Sequence, residues 1–300
     1  MNGPMKRRAL ITGDLGFVGR HMRSALEEHG WSVYGLDVKR GRAEDVRYWF
    51  SEGSKDVQYD LVVHCAAVVG GRETIEGNPI ATAVDLAIDA EMFGWAVRTQ
   101  QPRIVYYSSS AAYPIELQSS KSSKVLAESD LNLQAIRNPD MIYGWAKLTG
   151  EHIAASVEEL GTRVHIFRPF SGYGADQDLS YPWPAMARRA SRKEDPFTVW
   201  GDGTQVRDFI HIHDIVSGTL AAVESGSSGP LNLCTGIGTS MDELAKMFMS
   251  AAGYSAHIVH DTYKPSGVQA RVGSPVKMNE VYSARVGLEE TIRTQYWRGN

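Results

Sequence analysis

The 300-residue sequence predicts a doubly wound α/β fold, a mostly parallel sheet with helices on both faces, plus a smaller C-terminal α/β lobe. Three observations point there. Short apolar runs alternate with helix-forming stretches over residues 8–169. One run, Leu61-Val62-Val63-His64-Cys65-Ala66-Ala67, is nearly all apolar, as a strand buried on both faces requires. The first run ends in a glycine-rich turn that opens a helix.

In chain order, a short polar leader precedes Arg8-Ala9-Leu10-Ile11-Thr12, which runs into Gly13-Asp14-Leu15-Gly16-Phe17-Val18-Gly19. A helical pattern over 20–29 stops at Gly30, and Ser32-Val33-Tyr34-Gly35-Leu36 closes on Asp37. Strand, glycine loop, helix, strand and acid thus follow one another within about 30 residues, as in a dinucleotide-binding unit. The glycines allow a tight turn and close approach of backbone to a pyrophosphate, and the helix N-terminus offers free amides to it. Asp37 can accept both ribose hydroxyls of an adenosine and repels a 2′-phosphate, which favours NAD over NADP. Lys39 and Arg40 act the other way, since a basic pair accommodates a phosphate.

The apolar run at 61–67 leads into Val69-Gly70-Gly71, a turn where a ligand can approach backbone; His64 within it reads as a satisfied core histidine. A helix over Pro79–Arg98 and a strand over Arg103–Tyr107 follow. That strand ends in Ser108-Ser109-Ser110-Ala111-Ala112-Tyr113-Pro114, and the carboxyl ends of parallel strands are where open α/β sheets bind ligands. Residues 119–138, rich in serine and lysine, read as a surface excursion. The next helix carries Tyr143-Gly144-Trp145-Ala146-Lys147 and ends near Gly161, before a strand over 162–169. Beyond Phe170 the rhythm breaks into Gly, Pro and aromatic clusters. A short helix is predicted over 185–192, strands over 197–200, 206–212 and 231–233, helices over 215–225 and 241–252, and a terminal helix over 288–297, ending at Trp297. Residues 1–170 therefore read as a dinucleotide-binding domain and 171–300 as a substrate lobe, with some chain returning to the main domain.

Tyr143 and Lys147 are four apart and leave one helix face together. An ammonium beside a phenol favours the phenolate and lowers a pKa ordinarily about 10. Reaching neutrality takes roughly 3 units, about 4 kcal/mol, within reach of a charge plus a bound cofactor. The pair alone is a common pattern; the glycine loop, Asp37 and the serine turn make it a catalytic candidate.

Composition narrows the classes. A net charge of −4 gives no field drawing the chain to nucleic acid or to an anionic membrane. The basic knot Arg188-Arg189-Ala190-Ser191-Arg192-Lys193 is followed at once by Glu194-Asp195 and reads as a solvated helix face. The two cysteines, Cys65 and Cys234, lie in apolar runs and read as buried thiols in a reducing compartment, not as a disulfide or a metal site. No apolar run reaches membrane-span length and no signal-peptide h-region opens the chain, so a cytoplasmic protein is expected.

With these pieces assembled, the chain resembles the extended short-chain dehydrogenase/reductase family, in its NAD-dependent nucleotide-sugar epimerase/dehydratase branch, nearly end to end. The carriers are Thr12-Gly13-x-x-Gly16-Phe17-x-Gly19, Asp37, His64-Cys65-Ala66-Ala67, Ser108-Ser109-Ser110, Tyr143-x-x-x-Lys147, Arg168-Pro169-Phe170 and Gly201-Asp202-Gly203-x-x-x-Arg207-Asp208-Phe209. The resemblance implies a Rossmann-type sheet and a Ser/Tyr/Lys triad. In it Tyr143 exchanges the proton of the sugar 4-hydroxyl, Lys147 holds the nicotinamide ribose and lowers the tyrosine pKa, and a serine bonds the sugar oxygen. Counting back four residues from Tyr113 selects Ser109, whereas counting forward from the strand selects Ser110; Ser109 is preferred. Ser110 is then a substrate contact. The resemblance further assigns Gly13, Gly16, Phe17, Val18 and Gly19 to the cofactor, Asp45 and Val46 to its adenine, and Ala66, Ala67 and Pro169 to the same cleft. Arg207 resembles the arginine that forks onto a substrate diphosphate; Arg271 is either a second such residue or an ordinary loop arginine at the surface. No metal is implied, and a homodimer through the helices of 79–98 and 143–161 is.

Departures from the pattern choose the reaction. Dehydrating relatives carry an Asp-Glu pair directly after the catalytic hydroxyl residue, decarboxylating relatives a glutamate at the second of those places, and 3,5-epimerising relatives a cysteine there. This chain has Ser110 and Ala111. What remains needs only the triad and cofactor: C4 epimerisation by transient oxidation to a 4-keto sugar, the leading expectation, or 4-keto reduction with NAD(P)H as a substrate. A dinucleotide-binding sensor or scaffold on the same fold is the non-catalytic alternative. Asp85 stands where an asparagine is usual, and Ser171 replaces an asparagine near the diphosphate.

Overall fold

The computed structural model describes residues 6–53, 57–119 and 124–295. The first residues of the polar leader, 120–123 of the expected excursion, and Trp297 lie outside the described residues. The strands are β1 Arg8–Thr12, β2 Ser32–Leu36, β3 Leu61–His64, β4 Arg103–Tyr107, β5 Val125–Leu126, β6 Arg163–Pro169, β7 Ser171–Tyr173, β8 Phe197–Trp200, β9 Val206–His211, β10 Leu231–Leu233, β11 Gly238–Ser240, β12 Ile258–Asp261 and β13 Ala270–Gly273. The helices are α1 Phe17–Glu28, α2 Val46–Tyr48, α3 Arg72–Gly77, α4 Pro79–Arg98, α5 Met141–Glu159, α6 Pro182–Ser191, α7 Ile212–Ser225, α8 Met241–Ala251, α9 Val276–Asn279 and α10 Leu288–Gln295.

Six strands form the main sheet in the order β10-β6-β4-β3-β1-β2, every neighbouring pair parallel. Side chains of a strand alternate between faces, and here they feed two cores. Ala9, Ile11, Leu61, Val63, Val105 and Phe167 face one side and pack with α1 and α7 residues such as Met22, Leu26, Ile215 and Val216. Leu10, Val62, Ile104, Val164 and Ile166 face the other, against Ile88, Met92, Phe93 and Trp95 of α4 and Ala154 and Val157 of α5. Both faces being covered is why these strands read as apolar runs without alternation. The chain reverses direction across the sheet between β1 and β3, and the carboxyl ends flanking that switch point are where ligands sit in this architecture.

A second sheet, in the order β11-β9-β13-β5 with β7 also pairing β9, stands beside the first. It holds the Gly201-Asp202-Gly203 turn and its neighbours over a third core of Tyr173, Trp183, Met186, Phe197, Val199, Leu244 and Phe248. One sequence expectation needs correction. Residues 119–138 are more than a surface excursion: Val125–Leu126 pairs in parallel with β13, and Leu126 is buried beside Tyr113, Phe170 and Cys234. Two residues of strand are too few to show periodicity. A further finding concerns the expected strand at 231–233, which forms the edge of the main sheet, where β10 pairs β6.

Candidate active site

The cleft begins at the end of β1. Gly13 has a φ of +67°, and a Cβ there would press on the backbone of Cys65 and Ala66. Glycine is what lets the β1 loop lie this close to β3. Thr12 closes the same gap, its hydroxyl accepting from Ala66 N at 3.2 Å. A Cβ at Gly19 would overlap the carbonyl of Gly13, so α1 starts tight against the turn. No side chain caps that helix at Gly16, and no acid occupies its first turn, which leaves its amides free for an anion. Asp37 is buried at the end of β2, accepting from Leu15 N at 3.1 Å and Lys39 N at 2.9 Å. These features fit a dinucleotide: a cradle that only glycine permits, an uncapped helix end and an acid for a ribose. Asp45 and Val46, expected at the adenine, sit on a separate turn. Asp45 caps α2 and is forked by Arg47, and Val46 is buried in the core. Ala66 and Ala67 directly follow β3, and Pro169 ends β6.

The catalytic candidates converge from two elements. Tyr143 and Lys147 lie in the first two turns of α5, which Gly144 lets approach the 109–112 turn: a Cβ there would overlap the carbonyl of Ala111. Lys147 is buried, its Nζ 5.9 Å from the Tyr143 ring centre and 5.4 Å from that of Tyr106. Of the two candidate serines, Ser109 is the one close enough to act on Tyr143, its hydroxyl lowering the phenol's pKa; Ser110 and Ala111 are buried. Ser109 Oγ also accepts from Ala111 N at 3.1 Å, which sets the turn.

The electrostatics beneath this pair are a surprise of the structure. Asp85 and Asp89, one turn apart on α4, are both fully buried and both act on Lys147. Burial works against the Lys147 ammonium, yet Asp89, Tyr143 and Asp85 outweigh it and raise its pKa. Burial raises Tyr143 as well; Lys147 and Ser109 lower it, while Asp85 and Asp89 raise it further, and the balance lies above the ordinary value. The expected depression of Tyr143 by Lys147 is therefore present but outweighed in the protein alone. Asp89 is held by Tyr106 Oη at 2.5 Å and by His64 Nε2 at 3.2 Å, and His64 Nδ1 meets Thr12 Oγ1 at 2.8 Å. His64 is thus a satisfied core histidine, and one that joins the glycine loop to the charges under Lys147. Asp85 accepts from Val68 N at 2.5 Å through one oxygen, while Oδ2 has no partner. Burial pushes its pKa up to about 6. The sequence signal is two acids at i and i+4 in a helix that is mostly apolar.

Three arginines gather at the mouth. Arg207 on β9 is held by the carbonyls of Val206 and Ser266, and among the described residues no carboxylate pairs with it. Burial, with Arg271 and Arg72 close by, pushes its pKa down to about 9. A cation so placed calls for an anion. Arg271 lies on β13 with its side chain 12% exposed, bonded to Gln118 at 2.5 Å and Asp140 at 2.6 Å; the surface-loop alternative is excluded. Arg72 was not anticipated. It opens α3 directly after the Gly70-Gly71 turn and forks onto Asp140 at 3.0 and 3.1 Å. Asp140 in turn precedes α5 and donates its amide to Ala111 O at 2.9 Å.

A buried network locks the strand ends to α5. Arg168 forks onto Glu151 at 2.8 and 2.7 Å, Ser108 donates to Glu151 at 2.5 Å, and Arg168 also reaches Tyr113 Oη at 3.0 Å. Asp208 of the Arg207-Asp208-Phe209 motif is structural, accepting from Thr235, Gly236 and Gly273. Burial pushes the Cys65 thiol up to about 12, so it offers no nucleophile. Among the described residues no cluster of His, Cys, Asp or Glu could hold a metal.

A sequence model of the NAD dependent epimerase/dehydratase family matches residues 9–234. The chain belongs to this family. It is an NAD-dependent enzyme of the nucleotide-sugar epimerase and oxidoreductase class. It is 31% identical to the dTDP-4-dehydro-6-deoxy-D-allose reductase of Streptomyces bikiniensis, over 96% of this chain and 95% of that one. It is 23% identical to the GDP-L-fucose synthase of Escherichia coli strain K12, over 97% and 96%. The NAD complex of Thermus thermophilus UDP-glucose 4-epimerase shares the fold with a TM-score of 0.79, at 22% identity over 97% and 99% of the two chains. The NADP-bound GDP-mannoheptose C4 reductase of Campylobacter jejuni does so with a TM-score of 0.80, at 18% identity over 99% and 100%. No helix among the described residues is long and apolar enough to cross a membrane.

Proposed function

We propose that the protein moves hydride at C4 of a nucleotide-diphosphate sugar, acting as a 4-ketoreductase. The observation that carries the C4 assignment is the single acid/base. Tyr143 stands near Ser109 and beside Lys147, both of which lower its pKa, while the neighbouring Ser110 and Ala111 supply no second proton carrier. The nicotinamide cofactor supplies hydride. The residues do the rest: Tyr143 gives its hydroxyl proton to the C4 oxygen, Ser109 bonds that oxygen, and the Lys147 ammonium stabilises the phenolate left behind. Arg207, Arg271 and Arg72 hold the diphosphate, for which forked guanidiniums are suited. The reductive direction is supported by two reductases from Streptomyces, 30% and 31% identical over nearly the whole chain, which act on a 4-dehydro-6-deoxy sugar nucleotide.

The 4-epimerase reading retains support from Asp37, since an acid at the adenosine ribose suits NAD, the form an epimerase keeps and regenerates. One experiment separates the two. Purified protein is given NADH or NADPH with a dTDP-4-keto-6-deoxyhexose while absorbance at the reduced-nicotinamide band is followed, and in parallel a panel of UDP-, GDP- and dTDP-hexoses is followed by NMR. Net oxidation of cofactor supports reduction. Interconversion at C4 without net oxidation supports epimerisation. Turnover in neither arm sinks the C4 assignment.

Within this reading residues 1–170 serve the cofactor and 171–300 the nucleotide sugar, with α7 and β10 returning to the main sheet. A homodimer through α4 and α5 accounts for the exposed Ile80, Leu86, Ile142 and Trp145 on those helices; light scattering that gives a monomer at micromolar concentration removes it. Two free cysteines suit a cytoplasmic setting.

A further inference from the structure

Asp14 lies inside the glycine loop, yet its carboxylate is fully buried and engaged by two arginines. It is forked by Arg40, at 2.9 Å to Oδ1 and 2.6 Å to Oδ2, and gripped by Arg23 through Nη2 at 2.6 Å and Nε at 3.1 Å. Burial alone would raise its pKa, but the two arginines outweigh burial and hold it below the ordinary carboxylate value. Both arginines are further engaged, Arg40 by Glu44 at 2.8 Å and Arg23 by Glu27 at 3.1 Å. Glu44 also accepts from Asp37 N at 3.3 Å, so this cluster adjoins the acid assigned to the adenosine ribose. Three carboxylates, Asp14, Asp37 and Glu44, therefore share this corner, and the guanidiniums of Arg23 and Arg40 beside them are each engaged by two carboxylates. Gly35 belongs to the same arrangement: a Cβ there would overlap Asp14 Oδ2 and Arg23 Nη2.

We propose that Asp14, made possible by Gly35, is a specificity determinant for NAD over NADP, because it holds Arg23 and Arg40 away from the adenosine ribose. Asp37 repels the 2′-phosphate; Asp14 engages Arg23 and Arg40, leaving Lys39 as the one nearby cation of the basic pair that it does not hold. This answers the opposing pull of Arg40 noted in the sequence. It concerns the cofactor alone and stands or falls apart from the C4 reaction.

The test is equilibrium binding of NADH and NADPH to nucleotide-depleted protein, read by cofactor fluorescence without sugar substrate. The wild type is expected to bind NADPH at least tenfold more weakly than NADH. Asp14→Asn is expected to shift that ratio at least tenfold toward NADPH, and Asp14→Asn with Arg40→Ala to lose the gain. Arg40→Ala alone changes an exposed side chain and serves should the Asp14 variant not fold; it is expected to leave the ratio within twofold. Wild-type preference for NADPH, an unchanged ratio in Asp14→Asn, or a tenfold loss of NADPH affinity in Arg40→Ala alone each overturns the proposal.

Discussion

Asp85→Asn removes a carboxylate that the fold buries completely and leaves half unsatisfied. In the native chain burial lifts this group from 3.8 to about 6, so the folded state binds its proton more tightly than the unfolded state does. The resulting stability is present in full below pH 4 and is lost as pH rises through 6. A shift of roughly 2 units corresponds to about 3 kcal/mol over the whole range. About 1.4 kcal/mol of that falls between pH 5 and pH 8. Urea unfolding of wild type and Asp85→Asn at those two values reads it directly: the variant's stability relative to wild type should increase by about 1.4 kcal/mol from pH 5 to pH 8. Other titrations cancel in the difference. His165 is one of them, pushed down to about 4 chiefly by burial; its contribution is present above pH 6.5 and lost as pH falls through 4, opposite in sign to that of Asp85. A flat or falling difference would refute the reasoning. The same substitution removes a charge that raises Tyr143, so the pH–rate profile should move toward lower pH.

Tyr143→Phe should lower kcat by about 10²–10⁴-fold with the cofactor still bound, and turnover within twofold of wild type would remove Tyr143 as the acid/base. Arg207→Gln, Arg271→Gln and Arg72→Gln should each raise KM for the nucleotide sugar by roughly 10–100-fold, the worth of a charged hydrogen bond, without weakening NADH binding; a loss of NADH affinity instead would place the arginines elsewhere. Glu151→Ala strands the Arg168 guanidinium, 1% exposed, and should cost about 3–5 kcal/mol of stability by urea unfolding.

Periodicity was enough for β1, β2, β4, α4 and the span of α5, because strands and helices of a doubly covered sheet carry strong local patterns. The glycine loop and Asp37 could be placed for the same reason: their spacing is a local property of the chain. The charges that decide the chemistry were less accessible. Nothing in sequence distance joins Asp89 to Lys147, or Arg72 to Arg271 through Asp140; these meetings are tertiary. Asp85 was noticed only as a departure at its position, and its effect on Tyr143 required knowing that both are buried. The expectation of a lowered tyrosine pKa considered one neighbour, Lys147, where the fold supplies two opposing carboxylates and burial besides.

The pairing of Val125 and Leu126 with Val272 and Gly273 reaches across about half the chain. The second sheet therefore takes strands from both sides of α5 and cannot assemble from the C-terminal residues alone. Loop closure over such separations is slow, whereas β1, α1 and β2 pair within some 30 residues. The order of events on folding follows: the dinucleotide cradle can form early, and Arg271 reaches Asp140 only when β13 docks. During synthesis a chain still lacking its last 30 residues would already hold the glycine loop and Asp37, with Arg72 and Arg207, but not Arg271, the last member of the arginine cluster. Such a nascent molecule has the sequence of its dinucleotide cradle complete before its second sheet can close.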